Sequence, residues 1–278
     1  MLPKHTRPRT APATSRRHAM LAALGLAWAG LGAQGARAQN SHTVATVAAA
    51  ASLKFALEEL ARDFLRDTGQ PVRLVFGASG NLYSQVLQGA PFHLFLSADE
   101  ALVEQLAQAG RTLNQDRGRN YAQGRLALLV PNGSPLQPDP TLQDLRGALQ
   151  DGRLRRFAIA NPSHAPYGMR AREALQHAGL WEDIQSRLVF GENVAQAAQF
   201  ATSGSAQGGL VAYALALAPE LAARARHALL PAEWHQPLTQ RMVLLPGAPP
   251  AAVAFERFLT TPQAAAVLAR HGYSAPAR

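Results

Sequence analysis

Along the chain, apolar positions come first as short continuous runs and then as helical stripes, in alternation. Val44 to Ala50 is an apolar run suited to a buried strand. It is followed by Leu53, Ala56, Leu57, Leu60, Ala61 and Phe64 on one helical face, so the pattern predicts a strand, a short turn and a helix closed by Thr68-Gly69. Pro71 to Gly77 reads as the next strand, and Ser79 stands where a helix carrying Leu82, Val86 and Leu87 begins. Phe92 to Leu96 and Ala98 to Ala109 repeat the unit. Three strand-helix units in succession predict a parallel sheet covered on both faces.

A polar stretch at Gln115 to Asn120 interrupts this pattern, and Gly124 to Pro131 reads as a further strand. A second α/β set follows: strand Phe157 to Ala160, helices Met169 to Ala178 and Val194 to Thr202, strand Gly209 to Ala212, and a helix near Leu215 to Arg226. Gln240 to Leu245 reads as a strand, and Ala251 to Arg270 as helix broken at Thr261-Pro262. These last elements are expected to return to the first α/β set.

The N-terminal residues belong to a different pattern. Lys4, Arg7, Arg9, Arg16 and Arg17 precede an apolar run from Met20 to Leu31 that ends in Ala36-Arg37-Ala38. This is the form of a secretory signal peptide over residues 1–38, and the run is too short to span a bilayer of roughly 20 residues' depth. Ser15-Arg16-Arg17 adds a twin-arginine feature. The expected location is periplasmic.

Removing that segment changes the charge picture. Of the 27 Lys and Arg residues, 21 remain against 18 Asp and Glu, so the net charge of +9 falls to about +3. No basic stripe with interleaved aromatics remains, which argues against a nucleic-acid partner. The chain has no cysteine, so disulfides and thiolate chemistry are excluded. There is no His-x-x-x-His pair or calcium-type Asp loop, and no cofactor is expected.

The candidate chemistry lies in small donors beyond strand ends. Ser52, Ser79 and Tyr167 each follow a strand, where open α/β sheets bind ligands. Helix N-termini there offer unpaired N–H groups and a partial positive charge, which suits an anion. Taken singly, each residue has a plainer role, the serines as helix caps and Tyr167 as a turn tyrosine. Enzyme motifs are missing. Gly77-Ala78-Ser79-Gly80-Asn81 lacks the glycine of a nucleophile elbow, and no Ser-x-x-Lys, phosphate-binding loop or dinucleotide fingerprint occurs.

Five ordered blocks carry a more specific signal: Ala48-Ala49-Ala50-Ala51-Ser52-Leu53, Phe76 to Leu82, Gly89 to Asp99, Asn161 to Gly168, and Gly191-Glu192-Asn193-Val194-Ala195-Gln196. From about residue 42 to the C-terminus the chain resembles the periplasmic molybdate-binding proteins. The resemblance implies a type II periplasmic binding protein. Its two α/β lobes are joined by two chain crossovers around a ligand cleft, with residues 39–122 and 236–278 in lobe 1 and 123–235 in lobe 2.

It further implies that Ser52 and Ser79 donate from lobe 1 and that the Tyr167 and Val194 backbone amides donate from lobe 2, with Ala51, Ala212 and Tyr213 as secondary candidates. Some members carry a donor tyrosine where this chain has Ala212. Tyr213 lies one residue later, which turns it to the opposite face of a strand, and the Tyr167 phenol is the alternative donor. The implied ligand is molybdate or tungstate, bound as an oxyanion without direct metal ligands. The implied partners are a membrane permease and its ATPase, and the protein is expected to be a monomer with no catalytic activity. The alternatives are another tetrahedral oxyanion such as sulfate, an exported serine hydrolase using Ser79, or a sensing domain on the same scaffold.

Overall fold

The computed structural model describes residues 44–276, so the signal-peptide segment expected at 1–38 lies outside the described residues. The chain enters at β1 (Ala45–Ala50), passes through a 3-10 turn at Ala51–Leu53, and continues as α1 (Lys54–Thr68). β2 (Val72–Gly77), α2 (Ser79–Leu87), β3 (Leu94–Ser97), α3 (Glu100–Gln108) and β4 (Arg119–Gly124) follow. β1 is almost wholly alanine and valine and is buried inside its sheet, between β2 and β3. Such small side chains let helices pack closely on both faces of the strand.

At Arg125 the chain crosses to a second sheet. There it forms β5 (Leu126–Pro131), α4 (Gln143–Gln150), β6 (Phe157–Ala160), α5 (Pro166–His177), α6 (Trp181–Ile184), β7 (Leu188–Gly191) and α7 (Val194–Thr202). β8 (Gly209–Ala212), α8 (Tyr213–Ala216), α9 (Pro219–Ala222) and β9 (Ala225–Leu229) complete that part. The chain then returns as β10 (Leu238–Leu244), α10 (Pro250–Phe258) and α11 (Pro262–Arg270). The two five-stranded sheets have the orders β2-β1-β3-β10-β4 and β7-β6-β8-β5-β9. They are the cores of two lobes joined by two crossovers.

Several expectations need correction. The first three strands are parallel, but β10 runs antiparallel to both β3 and β4, so the sheet is mixed. The polar stretch before Gly124 is partly strand, because β4 is an edge strand with one side open to water. The single helix expected near Leu215 to Arg226 is two four-residue helices and the start of β9, which pairs antiparallel with β5. Pro219 sits at the first position of the second short helix, where a missing N–H costs nothing. Strand pairing then overrides the helical propensity of the alanines beyond it.

Candidate functional site

β1, β2 and β3 run out at one cavity between the lobes, and α5 and α7 start at it. It is lined by Ala50, Ala51, Ser52, Gly77, Ala78, Ser79, Ala98, Ala165, Pro166, Tyr167 and Val194. None of these residues is charged or a histidine. Ser52, Ser79, Tyr167 and Val194, four residues far apart in sequence, are therefore neighbours here, with Ala51 beside them. Ala212 and Tyr213 are not part of the lining. Ala212 is buried opposite Leu126 in the second sheet. The Tyr213 ring instead packs edge-on to His227 at 5.5 Å, and its N–H donates to the Arg125 carbonyl at 2.9 Å.

Four helical starts converge on the cavity, and three of them have no side-chain cap. The cap residues are Ala50 for the 3-10 turn, Ala78 for α2 and Ala165 for α5, none able to accept a hydrogen bond through its side chain. Ser52 and Ser79 are thus not cap residues; Ser79 is the first residue of its helix. In α7, Asn193 does cap, accepting from the Ala195 and Gln196 amides at 3.0 and 3.1 Å, which leaves the Val194 N–H over. An N–H in the first turn has no acceptor inside its own helix. Those of Ser79, Tyr167 and Val194 meet none elsewhere among the described residues. The helix ends add partial positive charge at the same point.

The two serine hydroxyls are held differently. Ser79 Oγ accepts from the Ala98 amide at 3.0 Å, so its lone pair is engaged and its proton is left to donate. Ser52 Oγ is buried with no hydrogen-bond partner, and so is the Tyr167 phenol oxygen. Burial pushes the Tyr167 phenol well above the usual tyrosine range, against the opposing pull of the Ser52 and Tyr273 hydroxyls. The ring is therefore neutral at neutral pH. Taken together the cavity presents donors and no charged acceptor, which is the chemistry of a site for a proton-free anion.

Sequence reasoning missed the residues that hold the lobes against each other. The Gly80 amide donates to the His164 carbonyl at 2.9 Å, a backbone bond from one lobe to the other. A Cβ at Gly80 would stand 2.5 Å from that same oxygen, so only glycine permits the approach. The Asn81 side-chain amide donates to Glu192 at 2.5 Å, and Arg170 faces Asp99 at 3.9 Å across the same seam. Gly168 plays a local part, since a Cβ there would overlap the Ala160 carbonyl oxygen. Its absence lets α5 start hard against the end of β6, which brings the Tyr167 N–H to the cavity. The glycines were visible in Ser79-Gly80 and Tyr167-Gly168, but the carbonyl that each one meets is set by tertiary structure alone. Among the described residues no group of three or more His, Asp or Glu is placed to hold a metal ion.

Residues 45–274 match the family described as bacterial extracellular solute-binding protein. The molybdate-binding protein ModA of Rhodobacter capsulatus is 36% identical over 228 residues, covering 81% of this chain and 86% of that protein. ModA of Azotobacter vinelandii is 34% identical over 257 residues, covering 91% of this chain and 96% of that protein. The solved structure of the Azotobacter vinelandii periplasmic molybdate-binding protein superposes with a TM-score of 0.75, at 32% identity, over 84% of this chain and all of that one. The sulfate-binding protein SubI of Mycobacterium tuberculosis shares the fold at a TM-score of 0.68 and 19% identity. By sequence and by fold, the chain belongs to the bacterial extracellular solute-binding proteins, in the family of the periplasmic molybdate-binding proteins.

Proposed function

We propose that this protein captures molybdate in the periplasm, closes its two lobes over the oxyanion and delivers it to a membrane permease powered by a cytoplasmic ATPase. Tungstate, of the same shape and charge, is taken by the same site. The observation that carries this reading is the uncharged cavity at which Ser52, Ser79, Tyr167 and Val194 present donors from converging helical starts. Molybdate at neutral pH is a fully deprotonated dianion whose oxygens only accept hydrogen bonds, so a donor-only site satisfies it completely. Hydrogen phosphate carries a proton that would find no acceptor, a buried mismatch of roughly 1–3 kcal/mol. Avoiding Arg and Lys also leaves no unpaired buried charge when the cleft empties, which keeps release to the permease cheap.

In this reading the ligand takes the hydroxyls of Ser52 and Ser79 and the backbone N–H groups of Tyr167 and Val194. Ala51 packs against it. Tyr167 uses its backbone and not its phenol, because the phenol oxygen lies against Gly124, which is outside the cavity lining. Ala212 and Tyr213 take no part. The protein acts as a monomer and catalyses no reaction. Residues 1–38 direct export, with Arg16 and Arg17 as a twin-arginine signal.

Calorimetry of the mature protein with molybdate, tungstate, sulfate and phosphate tests the assignment. The expected order is molybdate and tungstate far above sulfate, with phosphate weakest. Tight sulfate binding without molybdate binding overturns it.

A further inference from the structure

One face of α5 carries three contacts that the anion site leaves unused. Arg170, Glu173 and His177 are spaced three and four residues apart, so they line up along the helix whose first turn carries the Tyr167 amide. Arg170 sits between two carboxylates. Its Nη1 donates to Glu173 Oε1 at 2.6 Å, and its Nη2 lies 3.9 Å from Asp99 Oδ2 in the opposite lobe. The other Glu173 oxygen accepts the Gln236 N–H at 2.7 Å, on the segment that returns the chain from β9 to β10. Trp234, two residues earlier, stacks on His177 with the ring centroids 5.0 Å apart. A line of contacts thus runs from lobe 1 through α5 to the second crossover.

We propose that Arg170 and Asp99 form a latch that holds the lobes shut over the oxyanion, with Arg170 as its positioning residue. This rests on the reading that the lobes close on a bound anion. Asp99 follows Ala98, whose amide is bound by Ser79 Oγ, and Arg170 lies one helical turn beyond Tyr167. Drawing Ser79 and Tyr167 onto one anion therefore draws these two charges together. Most exposed ion pairs contribute little, because two long side chains must be ordered and water screens them. Neither limit applies here. The two side chains are 13% and 15% exposed, and each is fixed beforehand within its own lobe, Arg170 by Glu173 and Asp99 by the Ala101 amide at 3.0 Å. At 3.9 Å they attract by charge and not through a hydrogen bond. Arg170 Nε is buried with no acceptor among the described residues, so Asp99 is the partner that the guanidinium gains on closure. Because Glu173 also grips Gln236, the latch ties closure to a segment that joins the lobes.

The test is a double-mutant cycle of Asp99→Asn and Arg170→Met on the full mature protein, with sodium molybdate as ligand, affinity read by calorimetry and rates by stopped flow. Asparagine keeps the helix cap and removes only the charge. Each single variant should release molybdate about threefold to tenfold faster at an unchanged rate of capture, because the pair forms after the anion has entered. The double variant should release it no faster than Arg170→Met alone, since Asp99 has by then lost the charge it acts on. Wild-type release in Asp99→Asn, or effects that simply multiply in the double variant, overturns the proposal and leaves Arg170 a structural partner of Glu173. A loss confined to the capture rate overturns it too, in favour of a cation that steers the anion inward. If the wild type itself binds no molybdate, the binding reading fails and the latch with it, a result distinct from variants that match a binding wild type. Should Arg170→Met fail to fold, Asp99→Asn decides by itself: faster release supports the latch and unchanged release overturns it.

Discussion

The two lobes meet the cavity with different chemistry. Lobe 1 brings side-chain hydroxyls, Ser52 and Ser79, at the ends of β1 and β2, whereas lobe 2 brings backbone N–H groups at the starts of α5 and α7. A hydroxyl can rotate and can either give or accept, so its direction has to be set by neighbours. A backbone N–H is fixed by its helix and can only give. On the proposed reading, lobe 2 therefore imposes the demand for a proton-free anion outright. In lobe 1 the Ser79 hydroxyl is engaged by the Ala98 amide, whereas Ser52 Oγ has no partner.

The serines offer the strongest way to break this comparison. Ser79→Ala should weaken molybdate binding by about 10- to 100-fold, the worth of one hydrogen bond to a charged partner. It should also destabilise the empty protein by about 1–3 kcal/mol, because the buried Ala98 amide loses its acceptor. Ser52→Ala should weaken binding similarly but leave the thermal unfolding of the empty protein unchanged, since Ser52 Oγ leaves no partner behind. Equal stability losses in both would show that the two hydroxyls are not held differently.

Gly80→Ala comes next. The added Cβ would sit 2.5 Å from the His164 carbonyl, so the closed form is opposed by about 1–3 kcal/mol. Calorimetry should show roughly tenfold or greater loss of affinity, with the unfolding temperature of the empty protein little changed. A variant that binds normally would mean that closure does not use this contact.

The predicted pH dependence is flat. Burial holds the Tyr167 phenol protonated through the neutral and mildly alkaline range, and no other titratable side chain lines the cavity. Molybdate affinity should vary little between about pH 6.5 and 9. A steep fall in that window would point to an unrecognised charged contact. Acid sensitivity belongs elsewhere: the His271 hydrogen bond, with Arg270 beside it, holds the Glu59 carboxyl below the usual range. Its stabilising contribution is full above the unfolded-state value and is lost as pH falls through the folded one. Wild type and Glu59→Gln should therefore converge in stability in acid.

Tyr213→Phe is the smallest expected change. Its ring faces His227 and lies away from the cavity, so binding should be unaltered, and a clear loss would show that Tyr213 reaches the ligand.

Much of this was legible in the sequence because strands and donors are local features. The order of strand, turn and serine at Ala48 to Ser52 and Phe76 to Ser79 placed both hydroxyls correctly beyond strand ends. What was hidden depends on partners distant in the chain. Leu215 to Arg226 has the composition of a helix, and only pairing with β5 turns its end into β9. Gly80 reveals its freedom but not the His164 carbonyl 84 positions away that requires it. Likewise nothing local in the C-terminal tail announces the Ser274 to Gln123 bridge that ties it to β4.

A crystal structure of the mature protein with molybdate tests the central claim most directly. The account predicts the anion in the cavity between the lobes, its oxygens within hydrogen-bond distance of Ser52 Oγ, Ser79 Oγ and the Tyr167 and Val194 amides, with no Lys, Arg or His side chain in contact. An anion held by a basic side chain, for instance in the groove that Lys54 and Arg224 line, would contradict it.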